Sequence, residues 1–81
     1  MANRVFEVYM KEGCPYSQAA KDKLEELHLK ADVWTVPSSQ LDMLKRKHKM
    51  DTYPHVFVKS GNTKTLIGGY DDLLNYLKYN P

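Results

Sequence analysis

Apolar positions change period several times along this chain, and each change marks an element. Residues 4–10, Arg-Val-Phe-Glu-Val-Tyr-Met, are β-branched and aromatic over the length of one strand. Gly13 and Pro15 end it, and Pro15 suits the first position of a helix, where its missing N–H costs nothing. Over 16–29, Ala20, Leu24 and Leu27 recur at helical spacing. Residues 31–36 form a second short strand closed by Pro37, after which Ser38 or Ser39 can cap a helix over about 40–49. Leu41, Leu44 and His48 share one face of that helix. Residues 55–59 and 64–67 are two strands joined at Gly61-Asn62 as a hairpin. Gly68-Gly69 breaks the last strand, and 70–79, with Leu73, Leu74 and Leu77, is a closing helix.

The order β-α-β-α-β-β-α predicts an α/β fold. Its first two strands are parallel with a right-handed crossover and its last two antiparallel, in one mixed four-stranded sheet flanked by three helices. No repeat, linker or low-complexity segment interrupts residues 1–81, which read as a single domain.

Composition narrows the function. With 42% hydrophobic and 27% charged residues the chain is globular rather than disordered. A net charge of +2 is too weak to argue for nucleic acid or a membrane surface. The basic run at 44–49 reads as the solvated face of an amphipathic helix, so no nucleic-acid partner is expected. No apolar run approaches the roughly 20 residues of a membrane helix, and the first ten residues are too short and polar for a signal peptide. A single cysteine excludes an internal disulfide and fits a reducing, cytoplasmic setting. A monomer is the default expectation. His28, His48 and His55 make no ligand spacing with that cysteine, so no metal is expected and each reads as a surface or satisfied histidine.

The cysteine is Cys14, at a strand-to-helix junction between Gly13 and Pro15. A helix start offers unpaired N–H groups and the positive end of the dipole, which favour a thiolate over a thiol. Lys11 adds a nearby positive charge. A fall in pKa from about 8.5 to about 5 would raise the thiolate fraction at neutral pH roughly 30-fold, and intrinsic nucleophilicity would drop by a similar factor. Attack gains little; departure gains much. Such a site suits a cysteine that accepts a group and gives it up again.

Three motifs, taken together, carry a resemblance: "CPYS" after the first strand, "TYP" before the third and "GGYDD" before the last helix. In order and spacing they resemble the short glutaredoxins of the thioredoxin fold over nearly the whole chain. The resemblance implies a glutathione-dependent thiol–disulfide oxidoreductase with Cys14 as nucleophile. It also implies a glutathione groove lined by Lys11, Pro15, Tyr16, Thr52, Tyr53, Pro54, Gly69, Tyr70, Asp71 and Asp72. By the same likeness the Tyr53–Pro54 bond is cis and turns the Tyr53 backbone toward Cys14, its free N–H and C=O open to a substrate backbone. Gly68 and Gly69 permit positive φ and close approach of a ligand. Asp71 and Asp72 sit where carboxylates favour a helix start, and Asp72 can also meet a γ-glutamyl ammonium. Lys11 can meet the glycyl carboxylate.

The chain departs from the family pattern in places. Tyr53 is bulkier than the usual valine, so its ring is expected to narrow the groove. Met50 and Asp51 stand where Gln, Lys or Arg is common, leaving Lys49 as the candidate second anchor for the glycyl carboxylate. Tyr70 replaces a Cys or Ser. Ser17 occupies the place of a resolving cysteine, three residues after Cys14. A hydroxyl cannot close a disulfide, so the monothiol route, through a Cys14–glutathione mixed disulfide, is the one open to this chain. Glutathionylated or disulfide-bearing proteins are the implied partners. Ser17 is either native or an engineered replacement of a resolving cysteine; a dithiol parent would donate electrons to disulfide enzymes. The alternative reading is a dimeric carrier of a glutathione-ligated [2Fe–2S] cluster, against which stands the stiff Pro15.

Overall fold

The computed structural model describes residues 3–81. Strand β1 (Arg4–Met10) leads into helix α1 (Pro15–Glu26), then strand β2 (Ala31–Thr35). A single 3-10 turn (Ser38–Gln40) precedes helix α2 (Leu41–His48), followed by strands β3 (His55–Ser60) and β4 (Thr63–Gly68) and helix α3 (Tyr70–Tyr79). All four predicted strands and three helices are present; the first strand and last helix match end to end, and the other elements' ends shift by no more than three residues. The second helix differs most. Neither Ser38 nor Ser39 caps it through its side chain; the two serines fall inside the 3-10 turn, which Pro37 initiates.

The sheet order is β2-β1-β3-β4. β1 pairs parallel with β2 and antiparallel with β3, and β3 pairs antiparallel with β4. Alternation along β1 and β3 sorts side chains to two faces. Phe6 and Val8 of β1 and Val56 and Val58 of β3 point to one face, against Ala20 and Leu24 of α1 and Leu73 and Leu77 of α3. Spacing of i, i+4 on each helix creates these stripes. Full burial of each large side chain contributes about 1.5–3 kcal/mol, which makes this face the main store of stability. The other face carries Tyr9, Trp34 and Phe57; the Tyr9 ring contacts both Trp34 and Phe57, and His48 of α2 packs on Tyr9 and Phe57. Lys45, Arg46, Lys47 and His48 fill the last turn of α2, where cations suit the helix dipole. No helix among the described residues is long and apolar enough to cross a membrane.

The C-terminal end of β1, the start of α1, the loop before β3 and the start of α3 meet at one edge of the molecule. The three motifs lie there.

Candidate active site

Cys14 is placed by the turn that joins β1 to α1. Gly13 takes φ +76°, a left-handed conformation that suits glycine. The Cys14 N–H then bonds the Lys11 carbonyl at 3.2 Å, and the Cys14 carbonyl accepts the first helical bond from Gln18. Cys14 is thus the N-cap of α1, with extended backbone and Pro15 at the first helical position as the sequence predicted. Its side chain is half-buried.

Ser17 is fully buried one turn into α1. Its Oγ accepts the Lys11 backbone N–H at 3.1 Å, which leaves the hydroxyl hydrogen to donate. Burial, the largest influence on the Cys14 thiol, pushes its pKa up. The Ser17 hydroxyl, the Ser17 and Tyr16 backbone N–H groups and the Lys11 charge outweigh it, and the pKa is lowered. The direction expected from a helix start holds; the cause first in rank among the lowering ones is Ser17.

Opposite the sulfur stands the loop before β3. The Tyr53–Pro54 bond is cis, as expected. The Tyr53 carbonyl is not free: it accepts the Cys14 Sγ–H at 3.7 Å. The Tyr53 ring does not narrow the groove either. It turns inward, only 6% exposed. It stacks on the His55 ring with centroids 4.0 Å apart and planes 9° apart, and its hydroxyl donates to the Leu41 carbonyl at 2.7 Å. Tyr53 still lines the groove, but its ring packs inward, because a buried aromatic with a polar tip finds both an apolar neighbour and an acceptor there.

Helix α3 supplies the third wall. Asp72 Oδ2 accepts the Gly69 N–H at 3.1 Å and so closes its own helix. Gly68 carries φ +129°, and a Cβ there would overlap the Asp72 carboxylate. Gly69 does not share that freedom, with φ −86°; the positive φ anticipated for the glycine pair belongs to Gly68. Tyr70 faces Tyr16 across the opening, ring centroids 6.3 Å apart, with Tyr16 62% exposed.

These walls enclose two adjoining clefts. One, of about 290 Å³, is lined by Tyr16, Met50, Thr52, Tyr53, Gly69, Tyr70, Asp71 and Asp72. The other, of about 340 Å³, runs past Cys14 and is lined by Lys11, Glu12, Gly13, Tyr16, Lys45, Asp51, Thr52 and Tyr53. Tyr16, Thr52 and Tyr53 belong to both. Asp71 and Asp72 thus stand at one end, Lys11 and Lys45 with Glu12 and Asp51 at the other, and the sulfur along the way. The structure brings the predicted residues together, except that Pro54 is buried beneath the loop and Pro15 lines a further cleft of about 410 Å³ beyond Cys14.

Lys49, the expected second anchor, does not line either cleft. It ends α2 in a left-handed conformation, φ +57°. Lys45, one turn earlier, takes that place. Sequence reading passed over it because it lies in a basic run that looks like a solvated face; the signal was its position one turn after Leu41, whose carbonyl anchors Tyr53. The histidines also differ from expectation. His55 is fully buried with its Nε2 unpartnered, and its Nδ1 lies 2.9 Å from Nδ1 of His48.

Comparison with known proteins agrees with this geometry. The glutaredoxin family profile matches residues 6–61. Glutaredoxin-1 of Rhizophagus irregularis is 32% identical over 72 residues, covering 83% of this chain and 67% of its own length. Among solved structures, glutaredoxin 1 from Francisella tularensis superposes with a TM-score of 0.81 at 21% identity, covering 95% of each chain. The glutaredoxin of Brucella melitensis gives 0.69 at 22% identity, covering 91% of this chain and 78% of its own. The fold is that of thioredoxin, and the chain belongs to the glutaredoxin family of thiol–disulfide oxidoreductases.

Proposed function

We propose that this chain reduces protein–glutathione mixed disulfides by a monothiol route. The observation that carries the reading is the position of a stabilised Cys14 thiolate along a cleft with Lys11 and Lys45 at one end and Asp71 and Asp72 at the other. Glutathione has the complementary charge pattern: a glycyl carboxylate at one end, a γ-glutamyl ammonium at the other, a sulfur between. Lys11 and Lys45 meet the carboxylate as point charges. Asp72, already bonded through Oδ2 to Gly69, offers its remaining acceptor capacity to the ammonium. Tyr16, Tyr70 and the Thr52–Tyr53 backbone form the walls.

The Cys14 thiolate attacks the glutathione sulfur of the mixed disulfide. A Cys14–glutathione disulfide forms, the bond to the target sulfur breaks, and the target leaves as a thiolate that takes a proton from water. A second glutathione thiolate then attacks the bound glutathione sulfur. Oxidised glutathione departs, and Cys14 leaves as the low-pKa thiolate it began as. Over the cycle the target sulfur is reduced to a thiol, the incoming glutathione thiol is oxidised, and the glutathione sulfur that entered in the substrate stays at the disulfide level throughout. Ser17 has no thiol with which to intercept the mixed disulfide, and it stabilises the leaving Cys14 thiolate instead.

The test is turnover of a glutathionylated peptide, with glutathione and glutathione reductase supplying electrons. Wild-type turnover and its loss in Cys14→Ser are expected; folded wild-type protein with no turnover would overturn the proposal. Ser17→Cys should lose the accumulated glutathione adduct by internal closure, read by mass spectrometry.

A further inference from the structure

His55 follows the active-site loop directly, and among the described residues its side chain is the largest polar group with no exposure to solvent. Its Nδ1 meets His48 Nδ1 at 2.9 Å, and the two rings stand nearly perpendicular. Two imidazole nitrogens at this distance must share one proton. The buried Nε2 of His55 has no partner. An orphaned buried N–H is rarer than an under-satisfied acceptor, which assigns the shared proton to His55 Nδ1 and leaves His48 Nδ1 as acceptor. His48 is half-buried and keeps its own proton on Nε2, on the wetter side.

This proton links the site to the helix behind it. His48 is the last residue of α2, and the Tyr53 hydroxyl bonds Leu41, the first. The Tyr53 ring lies flat on His55, and the Tyr53 carbonyl faces the Cys14 sulfur. Both ends of α2 therefore hold one aromatic side chain whose backbone forms the reactive wall. We propose that His48 and His55 are positioning residues for the redox site: the proton that they share clamps the end of α2 beneath Tyr53 and so fixes the Tyr53 backbone against Cys14.

The clamp holds only while the pair is neutral. An incoming proton has two destinations. On His55 Nε2 it creates a buried imidazolium shielded from solvent, with only the Thr52 backbone favouring the charge. On His48 Nδ1 it replaces the acceptor by a second donor, and the bond breaks. Apart from the Thr52 backbone, which favours a charged His55, the groups around the pair oppose both outcomes. Lys45 and Lys47 of α2 and Lys64 of β4 face it with positive charge, and Lys64 is tied to Glu7 of β1 at 2.8 Å. Tyr9 of β1 and Phe57 of β3 pack on His48, and Asp42 of α2 faces Tyr53. Burial first, then these charges, lowers the pKa of both imidazoles, His55 to about 4.

The inference rests on the glutathione reading for its kinetic arm only. The primary experiment needs no substrate: an NMR titration of the full chain from neutral pH down through about pH 4. It is repeated with Cys14→Ser, so that no thiol titrates beside the loop. The two imidazoles should titrate as a coupled pair, and the Thr52 and Tyr53 amide shifts should follow the same midpoint in both chains. In steady-state assays KM for the glutathionylated peptide should rise about fivefold over that range, the effect of roughly 1 kcal/mol, while kcat follows Cys14 ionisation. In the double variant His48→Leu/His55→Phe, which keeps a ring against Tyr53 and removes both proton sites, the KM rise and the amide shifts should vanish. Flat Thr52 and Tyr53 amides through the histidine titration of the wild type would overturn the proposal, even if the double variant fails to fold. So would a KM rise that persists in a folded double variant. Absence of turnover at neutral pH would overturn the glutathione reading and leave the amide test intact.

Discussion

The Cys14 sulfur faces the Tyr53 carbonyl oxygen at 3.7 Å across 39 residues of chain. A carbonyl accepts from a thiol and offers nothing to a thiolate, so this contact favours the protonated form. The Ser17 hydroxyl does the reverse. Ionisation therefore exchanges one partner for the other, and Ser17→Ala removes the partner of the reactive state. The thiol pKa, followed through thiolate absorbance in the ultraviolet, should rise in this variant. Turnover should fall near neutral pH and converge with wild type at high pH. Loss of the Lys11 N–H bond to Ser17 should also cost about 1 kcal/mol of stability. An unchanged thiolate titration would show that Ser17 fills space and no more.

Lys45 and Lys49 make a matched comparison, four residues apart on one basic segment. Only Lys45 lines the cleft. An exposed charge pair contributes up to about 1 kcal/mol, so Lys45→Glu should raise KM for a glutathionylated peptide roughly fivefold or more. The effect should shrink with added salt. Lys49→Glu should change it little. Equal effects of the two variants would mean that net charge steers the substrate and no local anchor exists.

Gly68 and Gly61 both have positive φ, at +129° and +60°. A Cβ at Gly61 meets open space, whereas one at Gly68 runs into the Asp72 carboxylate that closes α3. Gly61→Ala should cost about 1 kcal/mol, from backbone strain alone. Gly68→Ala should cost about 2–3 kcal/mol, with a Tm fall on the order of 10 °C or more in thermal melts, and should weaken glutathione binding by displacing Asp72. A Gly68→Ala protein with wild-type Tm would contradict the packing described for Asp72.

Much of this was legible in the chain because local signals agreed. The strand 4–10 was readable to the residue, since its composition and the following Gly13 and Pro15 point one way. The site was readable as three motifs whose meaning is additive. What escaped was tertiary. Tyr53 looked like a bulky intruder because nothing in "DTYPH" says that a stacking partner and a carbonyl acceptor wait inside. His48 and His55 looked like separate surface residues because a pair seven apart spans a helix end, a loop and a strand start, a distance no periodicity measures. Lys45 looked solvated because composition cannot tell which cation of a run faces a cleft assembled from other elements.

That buried pair has a further consequence for folding. In the unfolded chain a histidine titrates at about 6.5. In the folded protein burial, His48 and Lys45 hold His55 down to about 4, against the backbone of Thr52. Between these values the unfolded state binds more protons than the folded state, so stability rises with pH and falls with acid. His55 costs nothing above about pH 6.5, and its penalty grows as pH drops toward about 4. The full gap corresponds to about 3 kcal/mol. His48, lowered by burial, Lys47 and Lys64, adds a loss of the same sign. Urea midpoints should therefore fall steadily between about pH 6.5 and about pH 4, before most carboxylates titrate. His55→Phe should flatten most of that slope. A wild-type midpoint that stays level across this window would mean that the imidazole pair is hydrated in solution and carries no such penalty.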